Sequence, residues 1–259
     1  MLPLHGVGVL VTRPELQALP LCRLLEAQGA RARSFPAIEI HPLEDRHTLG
    51  AELAPLERFD LIVFTSANAV RYGAMLLGER RDLKLAAIGP ATAHALNQAG
   101  YRVAVQSAGG YDSEALLRHP SVNSVAGARV LLVKGQDGRE LLREELTRRG
   151  ARVTAAEVYR RESARPSAAA LSSLESEFAA GAIQLVTATS IEIARSLLAL
   201  ATEALRRDFE RCRWLVPGAR VAESLRALGL TGQIVEAASA LDQDLLSAVL
   251  RWRAGESGA

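Results

Sequence analysis

Short polar side chains cluster where the apolar runs of this chain give way to helical patterns. Thr65-Ser66-Ala67-Asn68 follows one such run and Thr189-Ser190 follows another. Gly89-Pro90-Ala91-Thr92 and Pro217-Gly218-Ala219-Arg220 are turns of the same kind. Hydroxyls, carboxamides and the free N–H groups of a helix start all bind anions. Each is also an ordinary helix cap when taken singly. Arg13 follows the first apolar run, and Lys134 is its later counterpart. Arg139 opens a helical pattern, where a cation opposes the helix dipole and an anionic partner would offset the conflict. Arg160 and Arg161 follow Tyr159. Like Arg139, they suit an anionic ligand and a solvated surface equally well. The alternating acids and bases of 143–152 read as a solvated helix face.

Other chemistries are poorly supplied. The histidines (His5, His41, His47, His94, His119) show no paired ligand spacing, so no metal is expected. Gly6-Val7-Gly8 precedes its strand and lacks a third glycine, which argues against a dinucleotide fingerprint. No phosphate-binding P-loop and no Gly-x-Ser-x-Gly elbow is present. With 31 basic and 29 acidic side chains the net charge is only +2, and aromatics are 4%. Neither figure suits a nucleic-acid-binding surface. The 49% hydrophobic content is enough for a real core. Cys22 and Cys212 cannot make a disulfide framework and are expected to be reduced thiols of a cytoplasmic protein. No basic segment followed by an apolar one opens the chain, so no secretory signal is expected. The longest uncharged run, 178–191, is too short to span a bilayer.

The elements that must position these residues repeat. At a shift of 121, Gly6-Val7-Gly8-Val9-Leu10-Val11 lies over Gly127-Ala128-Arg129-Val130-Leu131-Leu132, and Gly29-Ala30-Arg31 over Gly150-Ala151-Arg152. At 124, Leu61-Ile62-Val63-Phe64-Thr65-Ser66 lies over Leu185-Val186-Thr187-Ala188-Thr189-Ser190. At 129, Gly89, Ala93, Leu96 and Gly100 meet Gly218, Ala222, Leu225 and Gly229. The order is the same in both halves, which marks an internal repeat.

Strands are expected at 9–12, 61–65, 85–88, 103–106, 130–134, 153–156, 183–187, 214–216 and 233–236. Helices are expected near 15–28, 67–77, 91–99, 138–149, 167–180, 190–205, 220–228 and 241–252. Continuous apolar strands alternating with helices imply parallel sheets covered on both faces. Such sheets bind ligands at the carboxyl ends of their strands. Two extended segments, 34–42 and 157–162, occupy nearly equivalent places in the two copies and suggest paired crossovers between two lobes. Pro166 is expected to start a new helix. The fold class is α/β: two lobes, each a parallel sheet flanked by helices, built from the internal repeat.

The chain resembles the uroporphyrinogen-III synthase family of tetrapyrrole and heme biosynthesis. The resemblance rests on Val-Leu-Val-Thr-Arg-Pro (9–14), Phe-Thr-Ser-Ala-Asn-Ala-Val (64–70), Ala-Ile-Gly-Pro-Ala-Thr-Ala (87–93), Gly-Tyr-Asp-Ser-Glu-Ala-Leu-Leu (110–117), Gly-Arg-Glu-Leu-Leu (138–142) and Glu-Val-Tyr-Arg-Arg (157–161). It implies a chain that starts in one lobe, builds the other and returns: 1–35 with 166–259, then 41–157, with linker strands 36–40 and 158–165. It implies a cofactor-free lyase reaction in which linear hydroxymethylbilane loses water and closes with its D ring inverted. The substrate's eight carboxylates suit Arg, hydroxyls and helix starts.

By the same resemblance Tyr159 is the candidate proton donor to the leaving hydroxyl. A phenol is a weak acid, so a partial effect is expected. Arg13, Thr65, Ser66, Asn68, Thr92, Arg139, Thr189 and Ser190 match substrate-binding positions. Val221 stands where Thr92 stands in the first copy, so Arg220 beside it is the candidate carboxylate contact instead. Hydroxymethylbilane is then the partner, with a transient contact to the bilane-producing enzyme consistent with it; no nucleic acid or membrane partner and a monomeric chain are expected. The alternative reading is a non-catalytic two-lobe sensor for an anionic small molecule. A sugar- or nucleotide-modifying enzyme fits less well, because phosphate loops and a clustered acid–base pair are missing.

Overall fold

The computed structural model describes residues 2–43, 46–107, 113–136 and 140–257. In chain order the elements are β1 (Gly8–Val11), α1 (Glu15–Ala27), β2 (Arg31–Ser34), β3 (Ile38–Pro42), α2 (Arg46–Leu53), β4 (Leu61–Phe64), α3 (Ala67–Gly73), β5 (Leu85–Ala87), α4 (Pro90–Gln98), β6 (Val103–Gln106), α5 (Ser113–Leu117), α6 (Pro120–Asn123), β7 (Arg129–Gly135), α7 (Leu141–Arg148), β8 (Arg152–Ser163), α8 (Ala168–Ala179), β9 (Leu185–Thr187), α9 (Ile191–Leu200), α10 (Glu203–Arg211), β10 (Arg213–Pro217), α11 (Ala219–Ala227), β11 (Ile234–Ala237) and α12 (Asp242–Ser257). They form two compact units, Met1–Glu39 with Glu162–Ala259, and Ile40–Arg161.

The first unit holds a parallel five-stranded sheet in the order β11-β10-β9-β1-β2. The second holds six strands in the order β3-β8-β7-β4-β5-β6. From β8 to β6 the neighbours are parallel. At the edge, Leu43 N–H donates to the Val158 carbonyl and Ala164 N–H to the Ala37 carbonyl. Residue numbers rise in one strand as they fall in the other, so β3 and β8 run antiparallel. The repeat lies across this arrangement. Its matches pair β1 with β7, β4 with β9 and β5 with β10, so the strand order β11-β10-β9-β1-β2 is that of β6-β5-β4-β7-β8. Each unit therefore combines strands from both halves of the sequence.

Burial explains why the strands read as unbroken apolar runs. In the second unit Ile62, Phe64, Leu131 and Val133 pack on one face with α3 and α4 side chains such as Val70 and Leu96. The alternate residues Leu61, Val63, Val130 and Leu132 pack on the other with Leu116, Leu142 and Leu146. The two-residue period of a strand places neighbours on opposite faces, and both faces are covered. In the first unit Val9, Val11, Leu185 and Leu215 pack against Leu21, Leu25, Leu245 and Val249 of α1 and α12. Each such side chain contributes about 1.5–3 kcal/mol when fully buried.

The elements depart from the sequence expectations at several places; β2, α5 and α6 lie outside the expected ranges, and the helix expected over 67–77 ends as α3 at Gly73. The helix expected over 190–205 is two helices, because Thr202 takes an extended backbone (φ −62°, ψ 168°) and its Oγ1 caps α10 through Leu205 N–H. The strand expected over 153–156 continues unbroken to Ser163. Pro166 does not start α8; Ser167 caps it and the helix begins at Ala168. The helix α2 lies where the sequence pattern predicts no helix.

Candidate active site

In the second unit the carboxyl ends of β8, β7, β4, β5 and β6 form one row. The chain runs outward from β4 to β5 and β6 on one side, and from β7 to β8 on the other. Between β4 and β7 lies the topological switch: α3 buries Ala69 and Val70 on one face, and α7 buries Leu142 and Leu146 on the opposite one. Ligands of open α/β sheets bind at such a point. Thr65 bridges it, since its N–H and its hydroxyl both donate to the Val133 carbonyl, at 3.1 and 3.3 Å. Ser66 follows with extended backbone (φ −162°, ψ 164°), and its Oγ accepts from Ala69 N–H at 3.0 Å to cap α3. The same Oγ is 3.1 Å from the Tyr159 hydroxyl.

Tyr159 reaches that position through an irregularity. The β7–β8 register runs evenly from Arg129 opposite Arg152 to Lys134 opposite Glu157, then slips so that Gly135 faces Tyr159. An extra residue re-aims the following side chains, as a β-bulge does. Ala156, Val158 and Tyr159 all enter the same core, whereas strict alternation would send Tyr159 to the other face. The ring fills the space over Gly135, where a Cβ would stand 2.5 Å from Cζ and 2.9 Å from the hydroxyl oxygen. Tyr72 packs beside it, ring centroids 6.0 Å apart. Arg161 Nη2 donates to the phenol oxygen at 3.2 Å. Tyr159 is only 1% exposed.

The neighbouring strand ends are more conventional. Thr92, 2% exposed, donates its hydroxyl to the Ile88 carbonyl at 2.7 Å. Gly89 precedes it at φ 78°, a backbone that glycine adopts without strain. Its N–H donates to Ser107 Oγ at 3.2 Å. Asn68 is half-buried in the first turn of α3. Lys134, 5% exposed, pairs with Glu140 and lies 3.8 Å from Glu157. Its hydrogen bond holds the Glu140 carboxyl below the usual range.

The first unit has its own switch, between β1 and β9. Thr12 N–H donates to Thr187 Oγ1 at 3.1 Å, and Thr12 Oγ1 donates to the Thr187 carbonyl at 2.5 Å. Arg13, 6% exposed, is committed within this unit, one guanidinium nitrogen to Asp242 and the other to the Ala240 carbonyl. Burial pushes its guanidinium below the ordinary value, and Asp242 pushes back. Thr189 is half-buried, and Ser190 caps α9 through Ile193 N–H at 3.2 Å. Gly218 repeats Gly89 at φ 80°, Val221 is buried, and Arg220 is exposed. Arg139 lies outside the described residues. Among the described residues no group of three or more His, Cys, Asp or Glu is placed to hold a metal, and no helix is long and apolar enough to cross a membrane.

The family model for uroporphyrinogen-III synthase HemD matches residues 20–245. The chain belongs to the uroporphyrinogen-III synthase family. It is 34% identical to the uroporphyrinogen-III synthase of Salmonella typhimurium and 32% identical to that of Escherichia coli, each match covering 95% of this chain and all of the relative. Among solved structures, a mutant uroporphyrinogen III synthase from Thermus thermophilus aligns with a TM-score of 0.62 at 20% identity, over 98% of this chain and all of that one. The uroporphyrinogen-III synthetase of Helicobacter pylori aligns at 0.59 and 16% identity, over 95% and 99%. These two share the fold.

Set in this family, the second unit brings Tyr159 and Ser66 into direct contact and adds Arg161, which the sequence left evenly between ligand and surface, and Gly135, which it did not select. Arg161 had a visible signal, since residues two apart on a strand share a face. Gly135 had none, because the need for a missing Cβ arises only when β8 slips against β7.

Proposed function

We propose that this synthase-family enzyme cyclises hydroxymethylbilane to uroporphyrinogen III with loss of water, acting as a cofactor-free lyase in the cytoplasm. The observation that carries the reading is the match along nearly the whole chain to the family and to two full-length relatives. That match does not favour a non-catalytic sensor. The proposed lobes are 1–35 with 166–259, and 41–157, joined by strands 36–40 and 158–165.

Tyr159 is the proposed proton donor. Breaking the C–OH bond of the hydroxymethyl group needs a proton on the departing oxygen, and the pyrroles stabilise the cation left behind. The bilane also closes unaided, to the isomer without inversion. The enzyme's main work is therefore orientation: the D ring is held so that its substituted carbon attacks. Excluding water protects the cation meanwhile. Arg220, Asn68, Thr65, Ser66, Thr189 and Ser190 are the proposed contacts to the substrate's acidic arms, with Arg139 beside them. Thr92 and Arg13 belong to the same proposed set, Thr92 with its hydroxyl bonded to the Ile88 carbonyl and Arg13 bonded to Asp242 and the Ala240 carbonyl. Hydroxymethylbilane is the proposed partner, a brief contact with its producing enzyme is compatible, and one copy of the chain suffices.

The test is incubation with freshly generated hydroxymethylbilane, followed by oxidation and chromatographic separation of the uroporphyrin isomers. Predominance of isomer III over the isomer I of an enzyme-free control is expected. Isomer I alone, from folded protein, overturns the reading. In the same assay Ser66→Ala combined with Thr92→Ala raises KM; unchanged kinetics remove both residues from the site.

A further inference from the structure

We propose that Arg161 and Gly135 are positioning residues that fix the direction in which Tyr159 offers its proton. The inference rests on the reading of Tyr159 as the acid, and deepens it. A phenol oxygen has one proton to give and lone pairs to receive. Arg161 carries only donors, so its Nη2–H at 3.2 Å must end on a lone pair of the Tyr159 oxygen. The phenol proton is thereby excluded from that direction. Among the described residues the other polar neighbour is Ser66 Oγ at 3.1 Å, which already accepts from Ala69 N–H at 3.0 Å. Either hydroxyl of that pair could be the donor, and with the Arg161 side closed the Tyr159 proton can be given only on the Ser66 side, to the serine or to a substrate oxygen that takes its place. As that proton leaves for the hydroxymethyl oxygen, the charge left on the phenol oxygen faces the Arg161 guanidinium.

Gly135 acts on the ring instead of on its oxygen. The slip in register sets the ring directly against the strand, and a Cβ at residue 135 would come within 2.5 Å of Cζ and 2.7 Å of Cε2. A buried aromatic ring cannot rotate away cheaply in close-packed surroundings. Glycine at the end of β7 thus lets the hydroxyl reach both Ser66 and Arg161. A strand that kept its alternation would hold no phenol there.

The experiment is a double-mutant cycle on isomer III formation from freshly generated hydroxymethylbilane, with kcat and KM measured separately. Arg161→Gln is expected to lower kcat about tenfold, with KM nearly unchanged, the scale of one lost charge-assisted hydrogen bond. In a Tyr159→Phe background, Arg161→Gln is expected to change kcat less than twofold, because its target oxygen is gone. Arg161→Lys, which can still donate, is expected to recover part of the loss. Gly135→Ala is expected to lower kcat in the wild type, and its circular dichroism and denaturation curve report whether it folds; if it does not, the Arg161 cycle alone decides. Equal losses from Arg161→Gln in both backgrounds, or a rise confined to KM, would mean that Arg161 acts on the substrate directly, and would overturn the proposal. Full activity of Tyr159→Phe by itself would instead remove the acid reading on which the proposal stands.

Discussion

The two units carry the same strand order and the same pattern of caps, yet only one of them sets a hydrogen-bonded phenol at its strand ends. Ser66 and Ser190 are repeat mates, and each caps its helix through the N–H three residues on. Gly89 and Gly218 share nearly the same φ. Arg13 and Lys134 are both buried cations at the ends of equivalent strands, each with a carboxylate partner. The difference lies in the strand beside them. In the first unit that strand stops at Ser34, and Pro36, which has no N–H for a ladder, stands before β3. In the second, β8 runs for 12 residues and slips at Tyr159. A duplicated scaffold thus holds a phenol in one copy and not in the other. Packing and capping are set by the scaffold; the phenol depends on one bulge and one missing Cβ.

This comparison can be broken at its buried cations first. Among the described residues Asp242→Ala leaves the buried Arg13 charge with the Ala240 carbonyl, and is expected to cost about 3 kcal/mol in chemical denaturation. Glu140→Ala should cost clearly less, because Lys134 retains Glu157 and Glu140 itself is exposed. Equal losses would mean that the repeat mates do the same work. Next in size, Tyr159→Phe is expected to lower turnover about ten- to a hundredfold at unchanged stability, toward the lower end of general-acid effects. Kinetics beside a denaturation curve check this.

The paired serines sharpen the contrast further. Ser66→Ala and Ser190→Ala should each cost about 1 kcal/mol as lost caps. Only Ser66→Ala should also reduce kcat, because only Ser66 touches a phenol; equal kcat in the two variants would count against the contact. The smallest effect concerns acid. Hydrogen bonds from Arg148 and Arg149 hold the Glu145 carboxyl at about 2, below its ordinary 4.5. A depressed carboxylate adds stability that is present above the unfolded-state value and is lost as pH falls toward the folded one. The wild type should therefore lose slightly more stability than Glu145→Gln between about pH 4.5 and 2. Identical acid titrations of the two would show that solvent screens the pair completely.

Much of this was legible in the residues, for physical reasons. Apolar runs such as Leu61–Phe64 are strands covered on both faces, and their pattern shows without any structure. Ser66 and Ser190 stand where caps must stand, and the repeat identified them as a pair. The elements that escape such a reading are those whose signals are weak or nonlocal. The break after Leu200 depends on Thr202 turning its hydroxyl back to a backbone N–H, and helical periodicity hides it. The short helix α2 has too little apolar periodicity to announce itself.

Composition, periodicity and the repeat by themselves determined the fold class and the polar strand ends, because each is written in local spacing, while the family was carried by the resemblance of short motifs such as 64–70 and 157–161. The tertiary structure alone decided that Arg13 pairs with Asp242, that Thr92 is buried against Ile88, and that Tyr159 lies between Ser66 and Arg161 over Gly135. Those outcomes depend on how strands far apart in the chain are registered. A single slip of register moves a side chain from one face of a sheet to the other.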